Sequence, residues 1–364
     1  MKTLVNVSIF EPFSDKGLHL SNRLVMAPMT RNRAIGNIPN EMMAEYYGQR
    51  ASAGLIITEG VSPSPNGLGY ARIPGIFSAE QIEGWKKVTA AVHDKGGKIF
   101  IQLMHTGRVS HTANMPVGAR ILAPSAIAAS GEIWTDTMGM QPMPVPAAMT
   151  TEEVKATIAE YVSASKNAIA AGFDGVELHG ANGYLIEQFI RPTSNSRTDE
   201  YGGTAENYAR FAFETTKAVA EAIGKEKTAI RLSPYGVFND MPYDTSMDDI
   251  YETLVTQLNE LGIVYIHLLD HSPIGAPEVP DSIKEMVRNN FNGILIFCGG
   301  YDADRAQQEI DNARADLIAV GRLFLANPDL VYRWKNGMAL NDPDFNTFYT
   351  PGEKGYTDYP TLSA

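Results

Sequence analysis

The sequence predicts an α/β fold in which eight parallel strands close into a single (β/α)₈ barrel of the TIM type. Short runs of Val, Ile and Leu recur along the chain, helical patterns separate them, and 364 residues suffice for one large domain. Runs that are apolar throughout are typical of parallel strands covered on both faces. An open doubly wound sheet is the alternative, because periodicity does not show closure.

The elements follow in chain order. The strand candidates are residues 24–29, 55–60, 98–105, 175–181, 228–234, 263–270, 294–300 and 317–322. Helical patterns, with apolar residues three and four apart, cover 80–96, 151–172, 204–224 and 247–262. Thr151 followed by Glu153 resembles a capped helix start, and Gly172 suits the end of the same helix.

Two segments interrupt this repeat. Residues 7–20 resemble a β-hairpin with Asp-Lys-Gly at its turn, which we expect to plug the N-terminal mouth of the barrel. Residues 106–150 are a long excursion after the third strand, rich in Pro, Met and Ser, and predict a capping subdomain over the site. Since no linker is evident, we expect residues 1–364 to form one domain.

Composition argues against several classes of protein. The net charge of −12 is unlike that of a nucleic-acid-binding protein. Cys298 has no second cysteine for an internal disulfide, which fits a reducing compartment. The first 13 residues lack the apolar core of a signal peptide, and no apolar run approaches the roughly 18 residues that cross a bilayer. We therefore expect a cytoplasmic protein without membrane or nucleic-acid partners.

Polar residues and glycines mark the C-terminal ends of the predicted strands, where barrels place their active sites. They are Thr30, Glu59, Gln102, His105, His179, Asn182, Tyr184, Arg231, Asp270, Gly299, Gly300, Gly321 and Arg322. No lysine is among them, which argues against a Schiff-base aldolase. The His and Asp candidates come from different strands without the local spacing of a metal site, so we expect no metal.

The last two strand ends predict a phosphate site. Glycines there precede helices, where backbone N–H groups bind anions and a missing Cβ lets a phosphate approach. Arg322 would add a charge-assisted contact. Tight turns alone are the alternative reading of the glycines, but two adjacent loops with an arginine favour phosphate.

The remaining strand ends indicate an aromatic ring system. Gln102 offers a donor and an acceptor that match a pyrimidine-like edge, Thr30 offers a hydroxyl, and Arg231 a cation that would stabilise a reduced flavin. The alternative for Arg231 is an ion pair with Glu177.

The chain also resembles a known family, the old yellow enzymes, which are FMN-dependent ene-reductases. The likeness rests on VMAPMTR (25–31), QLMHTGR (102–108), ELHGANGYLIEQFIRPTSNSRTDEYGG (177–203) and IAVGRLFLANPDL (318–330). It covers essentially the whole chain and is greatest to the bacterial branch of N-ethylmaleimide, pentaerythritol tetranitrate and morphinone reductases, which the ending FYTPGEKGYTDYP (348–360) also resembles.

The resemblance implies non-covalently bound FMN and roles for individual residues. The implied flavin contacts are Pro28, Met29 and Thr30 along the ring, a backbone contact near Glu59 and Gly60, Gln102 and Arg231 at the pyrimidine edge, and Gly299, Gly300, Gly321 and Arg322 at the phosphate. NADPH or NADH would reduce the flavin and leave, and an activated alkene would take its place: an α,β-unsaturated carbonyl, a maleimide or a nitro compound.

Within this resemblance, His179 and Asn182 would hold the substrate's carbonyl or nitro oxygen, and Tyr184 would protonate the α-carbon. Taken singly, these three residues could equally be core or turn residues. Their joint spacing favours catalysis.

Two departures from many relatives concern the substrate pocket. Met104 stands where many relatives have Trp, and a flexible Met predicts a roomier pocket. Asn182 stands where some relatives have a second His. Tyr349, Tyr70 and Trp134 are candidates for the pocket rim. The rival functions are a phosphate-binding barrel isomerase and a non-catalytic flavin carrier, and the expected assembly is a monomer or homodimer.

Overall fold

The computed structural model describes residues 7–362. The strands are β1 (Phe13–Asp15), β2 (Leu18–Leu20), β3 (Leu24–Met26), β4 (Leu55–Val61), β5 (Ile99–Leu103), β6 (Leu122–Ala123), β7 (Glu132–Thr135), β8 (Gly139–Pro142), β9 (Ala147–Ala148), β10 (Gly175–Gly180), β11 (Thr228–Leu232), β12 (Tyr265–Leu269), β13 (Ile294–Cys298) and β14 (Leu317–Val320). The helices are α1 (Glu41–Gln49), α2 (Ala79–His93), α3 (Thr151–Ala170), α4 (Leu185–Ile190), α5 (Ala205–Ile223), α6 (Asp248–Leu261), α7 (Asp281–Asn290), α8 (Ala303–Asp311), α9 (Arg322–Ala326) and α10 (Leu330–Lys335).

Eight of these strands close into a parallel barrel in the order β3-β4-β5-β10-β11-β12-β13-β14. The ring is completed where β14 pairs with β3, with Ile318 opposite Leu24. Closure confirms the predicted TIM barrel and excludes the open sheet. Each of the eight predicted strands is present, with ends that differ by a few residues from the predicted ones.

The hairpin β1–β2 packs against the barrel interior. Lys16 and Gly17 have positive φ angles of 50° and 83° at its turn, as a tight turn requires. The side chains of Phe13, Leu18 and Leu20 join the apolar cluster that fills the interior beside β3 and β4. This packing confirms the predicted hairpin and removes its apolar face from water.

The predicted ends of helix α3 are close to the observed ones. Its N-cap is Thr150 and not Thr151: the Thr150 hydroxyl accepts from the Glu153 N–H, and the Glu153 carboxylate accepts from the Thr150 N–H. The predicted cap was wrong by one residue, because two consecutive threonines offer the same side chain. Gly172 follows the helix with φ of 93°, as expected of a glycine at a helix end.

Residues 106–150 contain two small sheets. β6 pairs with β9 in parallel, and β7 pairs with β8 as an antiparallel hairpin. The β7–β8 hairpin places Ile133 and Trp134 over the C-terminal face of the barrel, where they line a cavity. In residues 7–362, no helix is both long enough and apolar enough to span a membrane.

Candidate active site

Two adjoining cavities occupy the C-terminal face of the barrel. The hairpin cavity, of about 830 Å³, lies beneath β7–β8, and the glycine cavity, of about 760 Å³, lies against the loops that follow β13 and β14. Their walls share Pro28, Thr30, Asn182, Arg231, Phe238, Phe345 and Tyr349. Because the walls are shared, the two cavities form one continuous site.

The structure brings together the nine residues predicted to bind the cofactor. Gln102 lines the hairpin cavity, and the other eight line the glycine cavity: Pro28, Met29, Thr30, Arg231, Gly299, Gly300, Gly321 and Arg322. They come from the ends of five different barrel strands and from the chain just beyond them. Only a closed barrel places these sequence-distant residues around one cavity.

The glycine loops fit a phosphate group. Gly300 has φ of 63°, and a Cβ on it would lie 2.6 Å from Pro273, so another residue would be strained there. Gly299 is equally confined, since its Cβ would lie 2.9 Å from that of Asp270. Among the described residues Arg322 has no ion-pair partner, and it is exposed on the cavity wall. An unpaired guanidinium beside closely approachable backbone suits a phosphate.

A buried polar chain forms the floor beside Gln102. Its Nε2 donates to Glu177 Oε1 at 2.7 Å, and the other carboxylate oxygen is 2.9 Å from His267 Nδ1. Burial alone would raise the pKa of Glu177, but His267, Arg231 and Gln102 together lower it. The carboxylate is therefore ionised, and the Gln102 carbonyl oxygen is left free to accept from a ring N–H.

Arg231 does not form the ion pair that was the alternative prediction. Its Nη2 lies 3.4 Å from Cys298 Sγ, and its Nε is buried with no partner among the described residues. Glu177 is held instead by Gln102 and His267. A buried guanidinium with an unused N–H on a cavity wall fits a ligand acceptor such as the edge of a flavin.

His179, the last residue but one of β10, is a neutral donor. The Ala181 N–H donates to its Nδ1 at 3.3 Å, so the proton of the neutral ring is on Nε2. Burial lowers the pKa of His179 well below its ordinary value, and Arg231 and two other histidines lower it further. The imidazole therefore presents an uncharged N–H donor to the hairpin cavity, whose wall it lines.

Tyr184 is buried beside His179, with the two ring centroids 4.9 Å apart. Its hydroxyl lies 3.1 Å from that of Tyr70. Burial raises the pKa of Tyr184 to about 12, although its hydrogen bonds to Tyr70 and Asn239 oppose that shift. The phenol therefore retains its proton at neutral pH and can act as a proton donor.

Buried charges hold the loop between His179 and α4. Glu187 accepts from the Gly183 N–H at 2.7 Å and from the Ser233 hydroxyl at 2.9 Å, and pairs with Arg191 at 2.8 Å. All six residues of α4 are buried. Helix α4 therefore anchors the loop. Its Glu187–Arg191 pair was missed from sequence, because charged residues are usually read as exposed.

The predicted rim and pocket residues have different outcomes. Tyr70, Trp134 and Tyr349 line the hairpin cavity, whereas Met104 lines neither cavity. Met104 is buried behind the wall, where its Sδ occupies the space above Gly60. Met104 directly follows β5, which ends at Leu103, and it belongs to the same buried apolar cluster as Tyr184.

Glu59 and Gly60 also lie outside both cavity walls. Glu59 is buried, where it accepts from the Tyr47 hydroxyl and the Arg31 N–H. The structure adds cavity residues that the sequence did not indicate: Asn32, Arg72, Glu132, Asp136, Phe238, Asn239 and Phe345. They lie in loops and the β7–β8 hairpin, where no periodic pattern marks them.

Comparison with known proteins identifies the family. The model of the NADH:flavin oxidoreductase / NADH oxidase family matches residues 8–341. The chain belongs to this family. Membership confirms the resemblance to the old yellow enzymes and, with it, the predicted FMN and nicotinamide hydride donor. Within residues 7–362 no group of His, Cys, Asp and Glu side chains is arranged to hold a metal ion.

Relatives of known structure share the family fold along their whole length. Morphinone reductase superposes with a TM-score of 0.95 at 43% identity, covering 99% of this chain and 98% of its own. The old yellow enzyme homologue from Zymomonas mobilis gives 0.93 at 40% identity, with 98% and 100% covered. Among relatives compared by sequence, a probable flavin mononucleotide-dependent alkene reductase of Leishmania infantum is 43% identical, over 97% of both chains.

Proposed function

We propose that this family member is an ene-reductase, which reduces the C=C bond of alkenes activated by a carbonyl or nitro group. The observation behind the proposal is that two neutral donors, His179 and Asn182, line the hairpin cavity together with a protonated Tyr184. FMN, when bound, supplies hydride that it has taken from NAD(P)H. Relatives described as alkene reductase and morphinone reductase support this choice.

The two donors recognise the activating oxygen of the substrate. His179, near the end of β10, and Asn182, in the loop that follows, both line the hairpin cavity, so a single oxygen can accept from both side chains. Negative charge develops on that oxygen as hydride adds to the β-carbon. Fixed donors in a buried site stabilise this charge without reorganising, which is the source of the rate enhancement.

Tyr184 completes the addition by protonating the α-carbon. A phenol with a pKa of about 12 is a weak acid, but a carbanion adjacent to a carbonyl is a stronger base than the phenolate and can take its proton. The hydroxyl of Tyr70, 3.1 Å away, can accept a hydrogen bond from Tyr184 or donate one to it, and so directs the phenol. This division of roles predicts that loss of Tyr184 affects only the alkene half of the reaction.

We propose that residues 106–150 cap the site and that Met104 and Tyr349 influence substrate range. Ile133 and Trp134 of the cap and Tyr349 of the C-terminal segment line the hairpin cavity, which supports apolar substrates such as 2-cyclohexenone and maleimides. Met104 acts from behind the wall, through the packing of Tyr184.

Charges at the mouth of the hairpin cavity favour NADH over NADPH as hydride donor. Arg72 is paired with Asp136, and Glu132 is exposed on the same wall. A ribose phosphate approaching this rim meets the exposed Glu132 carboxylate, and the nearby cation, Arg72, is already paired with Asp136. We expect a higher kcat/KM for NADH, and roughly two- to fivefold relative improvement for NADPH in Glu132→Lys.

We further propose that residues 1–364 act as one domain, as a cytoplasmic monomer or homodimer. The free Cys298, consistent with a reducing compartment, supports this location. Sedimentation of the purified protein distinguishes monomer from dimer.

The proposal is tested by NADH oxidation in the presence of 2-cyclohexenone, with product analysis for cyclohexanone. His179→Ala and Asn182→Ala should each lower kcat/KM by roughly 10- to 100-fold, as loss of a hydrogen bond to a developing charge predicts. A non-catalytic flavin carrier would show no enone-dependent oxidation, and a phosphate-binding isomerase would purify without flavin and stay colourless after incubation with FMN. Either result would exclude the ene-reductase.

A further inference from the structure

His271, in the loop after β12, is a buried residue with no part in the reaction described above. Its Nε2 lies 2.7 Å from Oδ1 of Asn182, and its ring stacks on Phe238 with centroids 5.9 Å apart. Asn182 lines both cavities. His271 lines the glycine cavity but not the hairpin cavity, so it contacts one of the two proposed substrate donors from outside the hairpin cavity.

The proton of His271 is on the nitrogen that faces Asn182. Burial lowers the pKa of His271 to about 4, and Arg231 contributes to that shift, so the ring is neutral at neutral pH and has one N–H. Its Nδ1 is buried without a partner among the described residues. Since a buried N–H without an acceptor is rare and costly, the proton is on Nε2.

This proton position determines which way the Asn182 carboxamide faces. His271 Nε2–H needs an acceptor, which only the amide oxygen of Asn182 provides, so the NH₂ group turns away from His271. The backbone of Asn182 is fixed separately. Its N–H donates to Ser233 Oγ at 3.0 Å, its carbonyl accepts from Asn239 at 2.7 Å, and its φ is 59°. Rotation of the amide is the freedom that remains.

We propose that His271 is a positioning residue that fixes the Asn182 carboxamide with its NH₂ group toward the substrate. In this orientation Asn182 donates to a carbonyl or nitro oxygen. In the opposite orientation the amide oxygen of Asn182 would face the substrate oxygen, and their lone pairs would repel. His271 therefore selects for substrates that accept hydrogen bonds. This inference rests on the function proposed above, in which Asn182 is a substrate donor.

The groups around His271 leave its Nε2 donor unchanged across neutral pH. Asp270 beside it is paired with Lys284 at 3.2 Å, and Arg231 and Arg191 are the nearby cations. Protonation of His271 in acid would add a proton at Nδ1 and leave Nε2–H in place. We therefore expect the orientation of Asn182 to be the same from pH 5 to pH 8, a range above the pKa of about 4.

The test compares His271→Gln with His271→Glu, which have the same shape but differ in hydrogen bonding. Glutamine can donate to Asn182 Oδ1, whereas a glutamate carboxylate only accepts and so turns the amide oxygen toward the substrate. The Kd of 2-cyclohexenone for the oxidised FMN-loaded enzyme is measured from the change in flavin absorbance. We expect His271→Gln to stay within roughly threefold of the parent and His271→Glu to bind at least about tenfold more weakly.

The same pair in an Asn182→Ala background shows whether the effect passes through Asn182. We expect the difference between the Gln and Glu variants to shrink to less than about twofold there, since a double-mutant cycle isolates the coupling. If His271→Glu does not retain FMN, His271→Leu replaces it, with an expected loss of roughly three- to tenfold.

Two results would overturn the inference. One is equal enone affinity in the Gln and Glu variants, and the other is an undiminished difference in the Asn182→Ala background, which would indicate a charge effect on the cavity. If Asn182→Ala alone leaves enone affinity unchanged, the donor role of Asn182 in the proposed function fails first, which is a distinguishable outcome.

Discussion

At the scale of single residues, His179, Asn182 and Tyr184 could be proposed as site residues from sequence because they are local, and their roles stay predictions. An imidazole, a carboxamide and a phenol within six residues at a strand end indicate a site, and the barrel places all three on one cavity wall. The contact between His271 and Asn182 was not predicted. His271 is 89 residues from Asn182 in sequence, and no local pattern joins the two.

Replacing Tyr184 by phenylalanine removes the acid and keeps the ring. We expect alkene reduction to slow on the order of 100-fold, as loss of a general acid predicts, while flavin reduction by NADH stays within about twofold. Stopped-flow absorbance measures the two half-reactions separately. Tyr70→Phe is the matched control and should slow alkene reduction much less. Equal losses in both half-reactions would contradict the role of Tyr184.

Because Tyr184 has a pKa of about 12, it remains protonated through neutral pH. We expect the rate of alkene reduction to show no titration of this group between about pH 6 and pH 9. A fall in rate as pH rises through that interval, present in the parent and absent in Tyr184→Phe, would show that the phenol ionises there.

Arg322 tests the phosphate end of the site. Arg322→Gln removes the unpaired guanidinium of the glycine cavity, and a charge-assisted hydrogen bond of about 1.5–3 kcal/mol predicts roughly 10- to 100-fold weaker FMN binding. Flavin fluorescence quenching measures the Kd. Arg314→Gln, an exposed arginine paired with Asp281, is the control and should bind FMN normally. Equal affinity in both variants would remove Arg322 from the site.

At the scale of elements, the strands were predicted more accurately than their connections. A strand buried on both faces is an apolar run that sequence shows directly, and β4 is buried at each of its seven positions. The β7–β8 hairpin alternates buried and exposed side chains over only four residues, which is too short a pattern to recognise in a Pro- and Met-rich segment. Its contribution to the hairpin cavity could therefore only be read from the structure.

The cap of α3 gives a prediction for stability. Thr150→Ala removes the hydroxyl that accepts from the Glu153 N–H, and should cost about 1 kcal/mol of unfolding free energy. That corresponds to a fall in Tm of roughly 2 °C in a domain of this size. Thr151→Ala is the comparison, and we expect a smaller loss. A larger loss for Thr151→Ala would return the cap to the residue that the sequence indicated.

At the scale of the whole molecule, buried arginines join the C-terminal segment to the first part of the barrel. Arg33 donates to four backbone carbonyls between Thr347 and Lys354, and Arg50 donates to the Tyr356 carbonyl at 3.1 Å. This segment includes Tyr349, which lines both cavities. The family resemblance of residues 348–360 could be seen in the sequence. Their contacts could not, because these join residues that are far apart in the chain.

Glu59 lies in this buried region and predicts a pH dependence of stability. Burial raises the pKa of Glu59 to about 7, although Arg31, Tyr47 and Arg33 oppose that shift. The native state binds this proton more tightly than the unfolded state does. Protonation of Glu59 therefore stabilises the fold, and this stabilisation is complete below the pKa of Glu59 in the unfolded chain. It is lost as pH rises from about 4.5 to about 7.

Replacement of Glu59 by glutamine should remove this dependence. We expect the difference in unfolding free energy between Glu59→Gln and the parent to shift in favour of the variant between pH 5 and pH 8, by an amount on the order of 1–3 kcal/mol. Denaturant unfolding at both pH values measures it. A constant difference would mean that Glu59 is ionised at pH 5 in the native state.

The barrel was predictable from sequence because eight strands and their alternation with helices are local patterns, whereas closure and the floor of the site are not. Gln102, Glu177 and His267 come from three strands and form one hydrogen-bonded chain only after the ring closes. The family resemblance predicted the flavin, whereas the hydrogen bonds that hold Gln102 were found only in the structure.

The most direct measurement is the visible absorbance spectrum of the purified protein, followed anaerobically. The account predicts a yellow protein whose flavin band is bleached by NADH or NADPH and restored by 2-cyclohexenone, with one bound FMN per chain. A colourless protein that stays colourless after incubation with FMN, or a bleached band that 2-cyclohexenone does not restore, would contradict it.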